Sequence, residues 1–333
     1  MNPAAAPTAL HASHAGHAGH APHPTVVRLR NWVGDVILGV PALRLLQAHG
    51  HDLTLVGKPW ARALLAGEGW PTHTRPGKLG ERVAQLRQLR REALLRDPAF
   101  DQRDNALVLP FSFSAALEMR LAGLRAVGER HEARSWLLQR ALAPAGSDVH
   151  VLQAYWRLAC TFLGVRAEPP AAIGLATAPA DQAAADALLA QHGITGRFVV
   201  ICPFAGGLFE KQEKTWPLFA DFTRELLRAG HTVLACPGPG EEDIVTTHHQ
   251  GVLMLPGVKM GVYGGLLRRA AMVVSNDTGP GHLAAAVGAP LLSVLGPTEP
   301  GQWAPWGPTV HVLRRWPEWP RVDEAMQALG ARL

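Results

Sequence analysis

The sequence predicts an α/β protein made of two similar halves, each a parallel sheet covered by helices. Strand-like and helix-like segments alternate along most of the chain, and a stretch rich in proline and alanine at 165–181 interrupts them near the middle. The length of 333 residues suits two domains. Because doubly wound sheets bind ligands at the carboxyl ends of their strands, we expect a cleft between the halves.

Composition narrows the class of protein. Hydrophobic residues make up 47% and charged residues 18%, so most of the chain should fold. The formal net charge of +5 suits phosphate-bearing ligands or anionic membrane surfaces. Patterns typical of nucleic-acid binding are missing from the sequence, so we expect no nucleic-acid partner. The longest uncharged stretch, 278–298, is broken by prolines and glycines and is a poor candidate for a membrane-spanning helix.

The cysteines and the N-terminal residues indicate in which cellular compartment the protein is expected. Cys160, Cys202 and Cys236 lie far apart among apolar residues, which predicts reduced thiols and a cytoplasmic protein. Residues 1–24 repeat histidine every third position from His11 and predict a disordered tail, with divalent-metal binding as the alternative. The tail lacks the features of a secretory signal.

In the first half, order is predicted to begin at Thr25. Pro41 falls inside the first predicted helix, where we expect a kink or a break because proline removes a hydrogen bond. The predicted elements are a strand at 26–30, a turn at 31–35, a helix at 36–49, a strand at 52–56, a basic amphipathic helix at 79–96, a strand at 106–109 and a helix at 115–124.

The second half repeats the alternation after the linker. The predicted elements are helices at 181–192, 216–229, 261–270 and 280–288, and strands at 198–202, 232–236, 252–255, 272–275 and 291–295.

The segment Ser275-Asn-Asp-Thr-Gly-Pro-Gly-His282 is the strongest local signal for a ligand site. It lies between a predicted strand and an alanine-rich helix, where unpaired amides and small residues favour a phosphate. Asp277 or Thr278 could instead simply cap the helix. The spacing alone leaves both interpretations open.

Three further charged residues have a functional and a structural interpretation. Asp35, after a glycine at the end of the first strand, is either a helix-capping residue or a general base facing the cleft. Lys214 could neutralise a diphosphate or be an ordinary surface lysine, and Lys211 is a nearby competitor. Glu241 could bind ribose hydroxyls or favour the start of a helix.

The sequence lacks the motifs of several other enzyme classes. It contains no G-x-G-x-x-G after the first strand, no P-loop and no G-x-S-x-G. Hydride transfer, ATP hydrolysis and serine-hydrolase chemistry are therefore disfavoured. Four tryptophans near the C-terminus are predicted mainly as packing residues, with stacking on a sugar as the alternative: Trp303, Trp306, Trp316 and Trp319.

Four motifs together resemble the ADP-heptose:lipopolysaccharide heptosyltransferase family, glycosyltransferase family 9. They follow the family's order and spacing, and the resemblance covers about 25–307. The segment 110–134 is more similar to the second heptosyltransferase of the inner core than to the first. The motifs are Asn31-Trp-Val-Gly-Asp35, Lys214-Thr-Trp-Pro217, Ser275-Asn-Asp-Thr-Gly279 with His282, and Gly296-Pro-Thr-Glu-Pro300.

The resemblance implies a GT-B fold, in which two Rossmann-like domains with parallel sheets face a central cleft. Residues 25–168 would bind the acceptor and residues 169–333 the nucleotide sugar. The implied reaction is inverting transfer of heptose from ADP-L-glycero-D-manno-heptose to the inner core of lipopolysaccharide, with no metal ion and no cofactor. The alternatives are a relative with another nucleotide sugar or acceptor, and a catalytically silent module that binds a nucleotide sugar.

The resemblance also implies roles for individual residues. Asp35 would be the base and Lys214 would stabilise the diphosphate. Asp277 would meet the donor sugar, and Thr278 and Gly279 would offer amides to the phosphates. The remaining implied donor-binding residues are Gly206 and Gly207 in the loop after Cys202, where relatives commonly have hydroxyl side chains, Glu241 at the ribose, Met260 near the adenine and His282 in support of the phosphate loop.

On the acceptor side, the resemblance implies contacts from Ser112, Ser114, Arg120 and Arg125. The arginines within 82–96 and 120–134 would face a phosphorylated lipid A–core acceptor, or else form solvated helix faces. The protein would then lie peripherally on the cytoplasmic face of the inner membrane. The oligomeric state is left open.

Overall fold

The first half of the chain forms a six-stranded parallel sheet in the computed structural model, which describes residues 22–330. Its strands are β1 (His23–Arg28), β2 (His51–Gly57), β3 (Thr72–Thr74), β4 (Ala106–Val108), β5 (Ala126–Glu129) and β6 (Arg140–Leu142). Their order is β3-β2-β1-β4-β5-β6, the Rossmann order, with its switch point between β1 and β4. The helices are α1 (Val33–Ala48), α2 (Ala61–Leu64), α3 (Leu79–Arg96), α4 (Phe113–Leu121) and α5 (Val151–Leu163).

The second half repeats this topology. Its parallel strands are β7 (Phe198–Cys202), β8 (Thr232–Ala235), β9 (Leu253–Met254), β10 (Met272–Ser275), β11 (Leu291–Leu295) and β12 (Val310–Arg314). Their order is β9-β8-β7-β10-β11-β12, which places the second switch point between β7 and β10. The helices are α6 (Pro179–Gln191), α7 (Phe219–Arg228), α8 (Glu242–His248), α9 (Met260–Arg269), α10 (Gly279–Ala286), α11 (Pro300–Trp303) and α12 (Val322–Gly330).

Three apolar clusters build the core. One is shared by both halves and includes residues of α1, α5, α9 and α10. A second lies between the first sheet and helices α3 and α4. The third lies between the second sheet and helices α7 and α12. The shared cluster joins the two sheets through their inner helix layers, so both switch points lie at the same junction.

Helices α1 and α10 meet at their N-termini, where two glycines allow close contact. A Cβ on Gly34 would lie 2.6 Å from Cδ2 of His282, and a Cβ on Gly279 would lie 2.8 Å from Cβ of Val33. Real Cβ atoms are not found at such distances, so only glycine fits at these positions. This contact brings the start of α1 next to the start of α10.

Several predicted elements are confirmed with the same bounds, namely α3, β7, β10 and β11. The prediction that order begins at Thr25 is wrong by two residues, because His23 already pairs with His51 in the sheet. The rest of the predicted tail lies outside the described residues. The irregular linker ends earlier than expected, since α6 begins at Pro179.

The prediction of a break at Pro41 is wrong, because α1 runs from Val33 to Ala48 without interruption. The helix also begins three residues earlier than expected, so Asp35 lies in its first turn rather than in a loop. Most of α1 is buried against α5 and α10. That packing offsets the hydrogen bond lost at proline, which costs roughly 3 kcal/mol in an isolated helix.

The three cysteines are free and buried, as the sequence predicts for core thiols. Burial raises the pKa of Cys202 to about 12, so this thiol is protonated at neutral pH. Within residues 22–330, no helix is both long and apolar enough to cross a membrane.

Candidate active site

A cavity of about 480 Å³ lies at the junction of the two halves. The first half contributes Arg30, Trp32 and Asp35, which follow β1, and the second half contributes Lys214 and Asp277, which follow β7 and β10. These loops leave the carboxyl ends of the strands at both switch points. The cavity therefore occupies the position where doubly wound sheets bind their ligands.

The two carboxylate oxygens of Asp35 differ in their contacts with the protein. Its Oδ1 accepts a hydrogen bond of 2.8 Å from Tyr155 Oη and lies 3.3 Å from Arg30 Nε. Among the described residues, none donates a hydrogen bond to Oδ2. The side chain is only 8% exposed, yet it lines the cavity. This arrangement leaves Oδ2 available to accept a proton from a bound molecule.

Tyr155 and Arg30 both contact the same oxygen of the Asp35 carboxylate, Oδ1. Burial, together with the neighbouring carboxylate, raises the pKa of Tyr155 well above its usual value, so the phenol stays a neutral donor. The Arg30 guanidinium stacks on the ring of Phe111 with 4.2 Å between Cζ and the ring centroid. Both partners are therefore fixed by their own packing.

Helix α10 directs its N-terminus at the cavity. The backbone amides of Asp277, Thr278 and Gly279 donate to no residue in the described part of the chain. Thr278 occupies the N-cap position of α10, but its side chain makes no capping bond within that part either. Free amides at the positive end of a helix form an anion site. We call these amides, together with Lys214, the anion cradle.

Lys214 and Asp277 form an ion pair at the wall of the cavity. The Nζ atom of Lys214 lies 3.2 Å from Asp277 Oδ2 and also donates to the Asp277 carbonyl at 3.2 Å. Thr298 Oγ1 donates to the same Oδ2 at 2.6 Å, which fixes the carboxylate. The side chains of Lys214 and Asp277 are 16% and 10% exposed. Both can therefore reach a molecule in the cavity while keeping a defined position.

Asn276 fixes the Lys214 loop to the strand edge. Its Oδ1 accepts from the Trp216 amide at 3.0 Å, and its Nδ2 donates to the Pro203 carbonyl at 2.7 Å. Lys211 is exposed, does not line the cavity, and lies in a tight turn with a φ of 68°. The geometry therefore favours Lys214 over Lys211 as the lysine that meets a ligand.

His282 lies one turn into α10, at the contact with Gly34. Burial lowers its pKa, against the opposing effect of the Asp277 and Asp35 carboxylates. Its Nδ1 is buried and has no hydrogen-bond partner in the described part of the protein. His282 lines the cavity together with both carboxylates, as a residue that supports the loop would.

The other predicted donor residues divide into two groups. Gly206, Gly207 and Glu241 line the cavity, and Glu241 Oε2 accepts from the Gly238 amide at 2.8 Å. Met260 does not line it. It lies at the start of α9, beside a separate small cavity against α2.

The four predicted acceptor residues are not brought together by the fold. Ser112 and Ser114 lie beyond the carboxyl end of β4, at the start of α4, and are exposed outside the cavity. Arg120 and Arg125 lie near the amino end of β5, in a separate pocket of about 390 Å³. Since α4 runs from one end of the sheet to the other, its two ends cannot serve one small site.

Part of the predicted basic surface is neutralised or buried. Arg134 is fully buried and donates to the carbonyls of Glu129 and Pro110, so it holds the loop before α4 instead of facing an acceptor. Burial lowers the pKa of Arg134 to about 10, which leaves it charged at neutral pH. Arg82 and Arg90 are paired with Glu118 and Asp101.

Several residues of the site were not assigned from the sequence. Arg30 directly precedes the first motif, Trp32 lies within it, and Thr298 lies within the last motif. These motifs could therefore have indicated all three residues. Tyr155 is separated from Asp35 by 120 residues in a segment with no predicted element, and no local pattern indicates it. Trp303 lines the cavity, unlike a purely packing tryptophan.

Two Rossmann-type sheets that meet at a cleft define the GT-B architecture, which the resemblance implied and the fold confirms. The chain belongs to glycosyltransferase family 9 (heptosyltransferase), whose family model matches residues 91–329. Lipopolysaccharide heptosyltransferase 3 of Escherichia coli (strain K12) is 28% identical over 134 residues, and the match spans 37% of each chain.

Solved structures agree on the fold. The E. coli ADP-heptose lipopolysaccharide heptosyltransferase II superposes with a TM-score of 0.75 at 22% identity, over 92% of this chain and 98% of that one. The E. coli heptosyltransferase WaaC with ADP superposes with a TM-score of 0.67 at 20% identity, over 93% and 100%. Family membership makes the chain a homologue of glycosyltransferases.

Proposed function

We propose that this protein transfers heptose, with inversion, from ADP-L-glycero-D-manno-heptose to the inner core of lipopolysaccharide. The observation that carries the proposal is the placement of Asp35 across one cavity from the anion cradle. A carboxylate with one free oxygen suits an acceptor hydroxyl, and free amides with a lysine suit a diphosphate. Family membership supports the reaction class, and the relative with bound ADP supports the nucleotide.

In the proposed reaction, the acceptor hydroxyl attacks the anomeric carbon while Asp35 Oδ2 takes its proton. The new bond joins the acceptor oxygen to that carbon, and the bond between the carbon and the ADP phosphate oxygen breaks. The electron pair leaves with ADP, whose growing negative charge meets Lys214 and the amides of Thr278 and Gly279. Such groups stabilise the transition state more than the ground state, so the scheme requires no metal ion.

The two halves would divide the substrates. Residues 25–168 carry the base and would bind the acceptor, part of which would contact Ser112 and Ser114. Residues 169–333 carry the anion cradle and would bind the donor. Asp277, held by Thr298 and Lys214, would accept hydrogen bonds from the heptose hydroxyls, and Glu241 would accept from the ribose.

The acceptor is part of a lipid, so the proposal includes a peripheral position on the cytoplasmic face of the inner membrane. Three free cysteines suit a reducing compartment, and an excess of arginine and lysine over acidic residues suits an anionic surface.

The test is mass spectrometry of a truncated core lipopolysaccharide incubated with the purified protein, EDTA and ADP-heptose, with UDP- and GDP-sugars in parallel. We expect one heptose increment with the ADP donor only, and NMR coupling of the product should give the inverted anomer. An increment with another nucleotide sugar would assign a different donor. Donor binding without any transfer, on acceptors with zero or one heptose, would indicate a silent binding module.

A further inference from the structure

The outer surface of the first half carries most of the large apolar side chains that are exposed in residues 22–330. Trp136 is 69% exposed, Leu121 44% and Leu95 85%. They belong to α3, α4 and the turn of helix at 132–137. These elements pack on the side of the first sheet that faces away from the shared core. Exposed apolar side chains concentrated on one face indicate an interaction surface.

Cationic side chains without acidic partners lie among these apolar ones. Arg91, Arg120 and Arg125 form no ion pair with any described residue, and the Arg87 guanidinium donates only to the Leu121 carbonyl, at 3.1 Å. Arg87, Arg91 and Leu95 follow one another at intervals of four along α3, so they form one stripe. We call the set formed by these residues with Leu121 and Trp136 the basic-apolar face.

A polar pocket of about 390 Å³ opens within this face. Arg120, Arg125 and Trp136 line it together with Arg90, whose charge is balanced by Asp101. Besides Asp101, the exposed Glu92 is the acidic side chain nearest to this stripe in sequence, and it accepts a hydrogen bond from Gln88. The positive charges of the face therefore outnumber its negative charges. Arginine is well suited to phosphate because its guanidinium can form two parallel hydrogen bonds.

Two aromatic contacts link the basic-apolar face with the acceptor side of the active-site cavity. Arg30, which lines the cavity, stacks on Phe111. Phe113 follows two residues later, and its ring centroid lies 6.3 Å from that of Trp136. A substrate whose sugar end reaches Asp35 could thus have its lipid anchor in a bilayer beneath this face.

We propose that the basic-apolar face docks on an anionic phospholipid bilayer, with Arg120 and Arg125 on the lipid phosphates and with Trp136 and Leu121 inserted between headgroups. The inference deepens the proposed function, since it places the membrane contact that such a substrate requires. Charge complementarity favours the bilayer over a protein partner, because an anionic bilayer offers phosphates to the unpaired arginines and an apolar interface to Leu121 and Trp136 at the same time. In this proposal Arg120 and Arg125 contact the phosphates of membrane lipids instead of the phosphorylated acceptor that the resemblance implied.

The test is sedimentation of the full-length protein with vesicles of phosphatidylcholine, with or without about 30% phosphatidylglycerol. We expect binding to the anionic vesicles only, and a large loss of it between about 0.1 M and about 0.5 M NaCl. Because each arginine near an anionic surface strengthens binding about 5-fold, the variant R120Q/R125Q should bind about 25-fold more weakly. The variant L121S/W136S should bind more weakly at both salt concentrations.

The matched control is R224Q/R228Q, which removes the same charge from exposed positions on α7 of the second half and should bind as the wild type does. Equal binding of R120Q/R125Q and the wild type would overturn the proposal. A second result would also overturn it: anionic vesicles fail to bind, but inorganic phosphate raises the thermal stability of the wild type and not of R120Q/R125Q. That result would indicate a site for free phosphate. Vesicle binding does not depend on transfer, so a failure of the proposed function would be seen separately in the transfer assay.

Discussion

Replacement of Lys214 by methionine tests the anion cradle, because methionine keeps the apolar stem and removes the charge. In the structure the ammonium already lies 3.2 Å from Asp277 Oδ2, and Thr298 holds that carboxylate as well. Asp277 therefore keeps one hydrogen bond in the variant, and we expect the fold to remain. Thermal unfolding should confirm this.

The expected kinetic effect follows from the charge that the ammonium would meet. Removal of one donor that stabilises a developing negative charge costs about 2.7–4 kcal/mol, or roughly 10²–10³ in rate. Part of this should appear in donor binding, since a hydrogen bond to a charged group contributes about 1.5–3 kcal/mol. We expect kcat/KM for the donor to fall about 10²–10³-fold, measured by release of ADP.

Lys211→Met is the matched control, because Lys211 is three residues away and does not line the cavity. It should change kcat/KM for the donor by less than about 3-fold, as expected for an exposed charge. A loss in Lys211→Met equal to or larger than that in Lys214→Met would refute the placement of the diphosphate beside Lys214.

Three further substitutions or conditions test the supporting structure. Tyr155→Phe removes the hydrogen bond that is donated to the Asp35 carboxylate and should lower kcat about tenfold, with KM for the nucleotide sugar unchanged; an unaltered kcat would exclude a positioning role. Glu118→Gln leaves the buried Arg28 guanidinium without its charge partner, which lies 2.9 Å away. This should lower the free energy of unfolding in urea by about 3–5 kcal/mol, and a loss below about 1 kcal/mol would contradict the prediction. Burial lowers the pKa of His249 to about 4, so between about pH 6.5 and pH 4 the unfolded chain binds a proton that the folded chain does not. The free energy of unfolding should therefore decrease as the pH is lowered through that window, by up to about 1.4 kcal/mol per pH unit. His249→Gln should reduce this slope.

Strands buried on both faces were predictable from the sequence because their apolar runs are long and continuous. β7, β10 and β11 are of this kind, and their bounds agree with the prediction. The strands β3, β5, β6 and β12 were missed, since the first three have only three or four residues and β3, β6 and β12 lie at edges of the sheets. By contrast, α5 has a clear helical period in Val151, Tyr155, Leu158 and Phe162, and this pattern could have predicted it.

The candidate site was predictable only where its residues are local in sequence. The motif around Asp277 and the placement of Asp35 after the first strand follow from strand–turn–helix patterns. The contact between Asp35 and Tyr155 depends on packing of α1 against α5, which no local pattern specifies. Ser112 and Arg120 lie at opposite ends of α4, which connects the carboxyl end of one strand to the amino end of the next. The order of predicted elements could therefore have shown that the two residues are apart.

The most direct test of the central claim, that this cavity is a catalytic site with Asp35 as its base, is the transfer rate of Asp35→Asn. Asparagine has the same shape and its oxygen can still accept from Tyr155 and lie beside Arg30, but it cannot take up the proton of the acceptor. We expect kcat to fall about 10²–10⁴-fold while calorimetry gives the same affinity for ADP as in the wild type. Transfer by Asp35→Asn within about tenfold of the wild-type rate, at unchanged ADP affinity, would show that Asp35 is not the base.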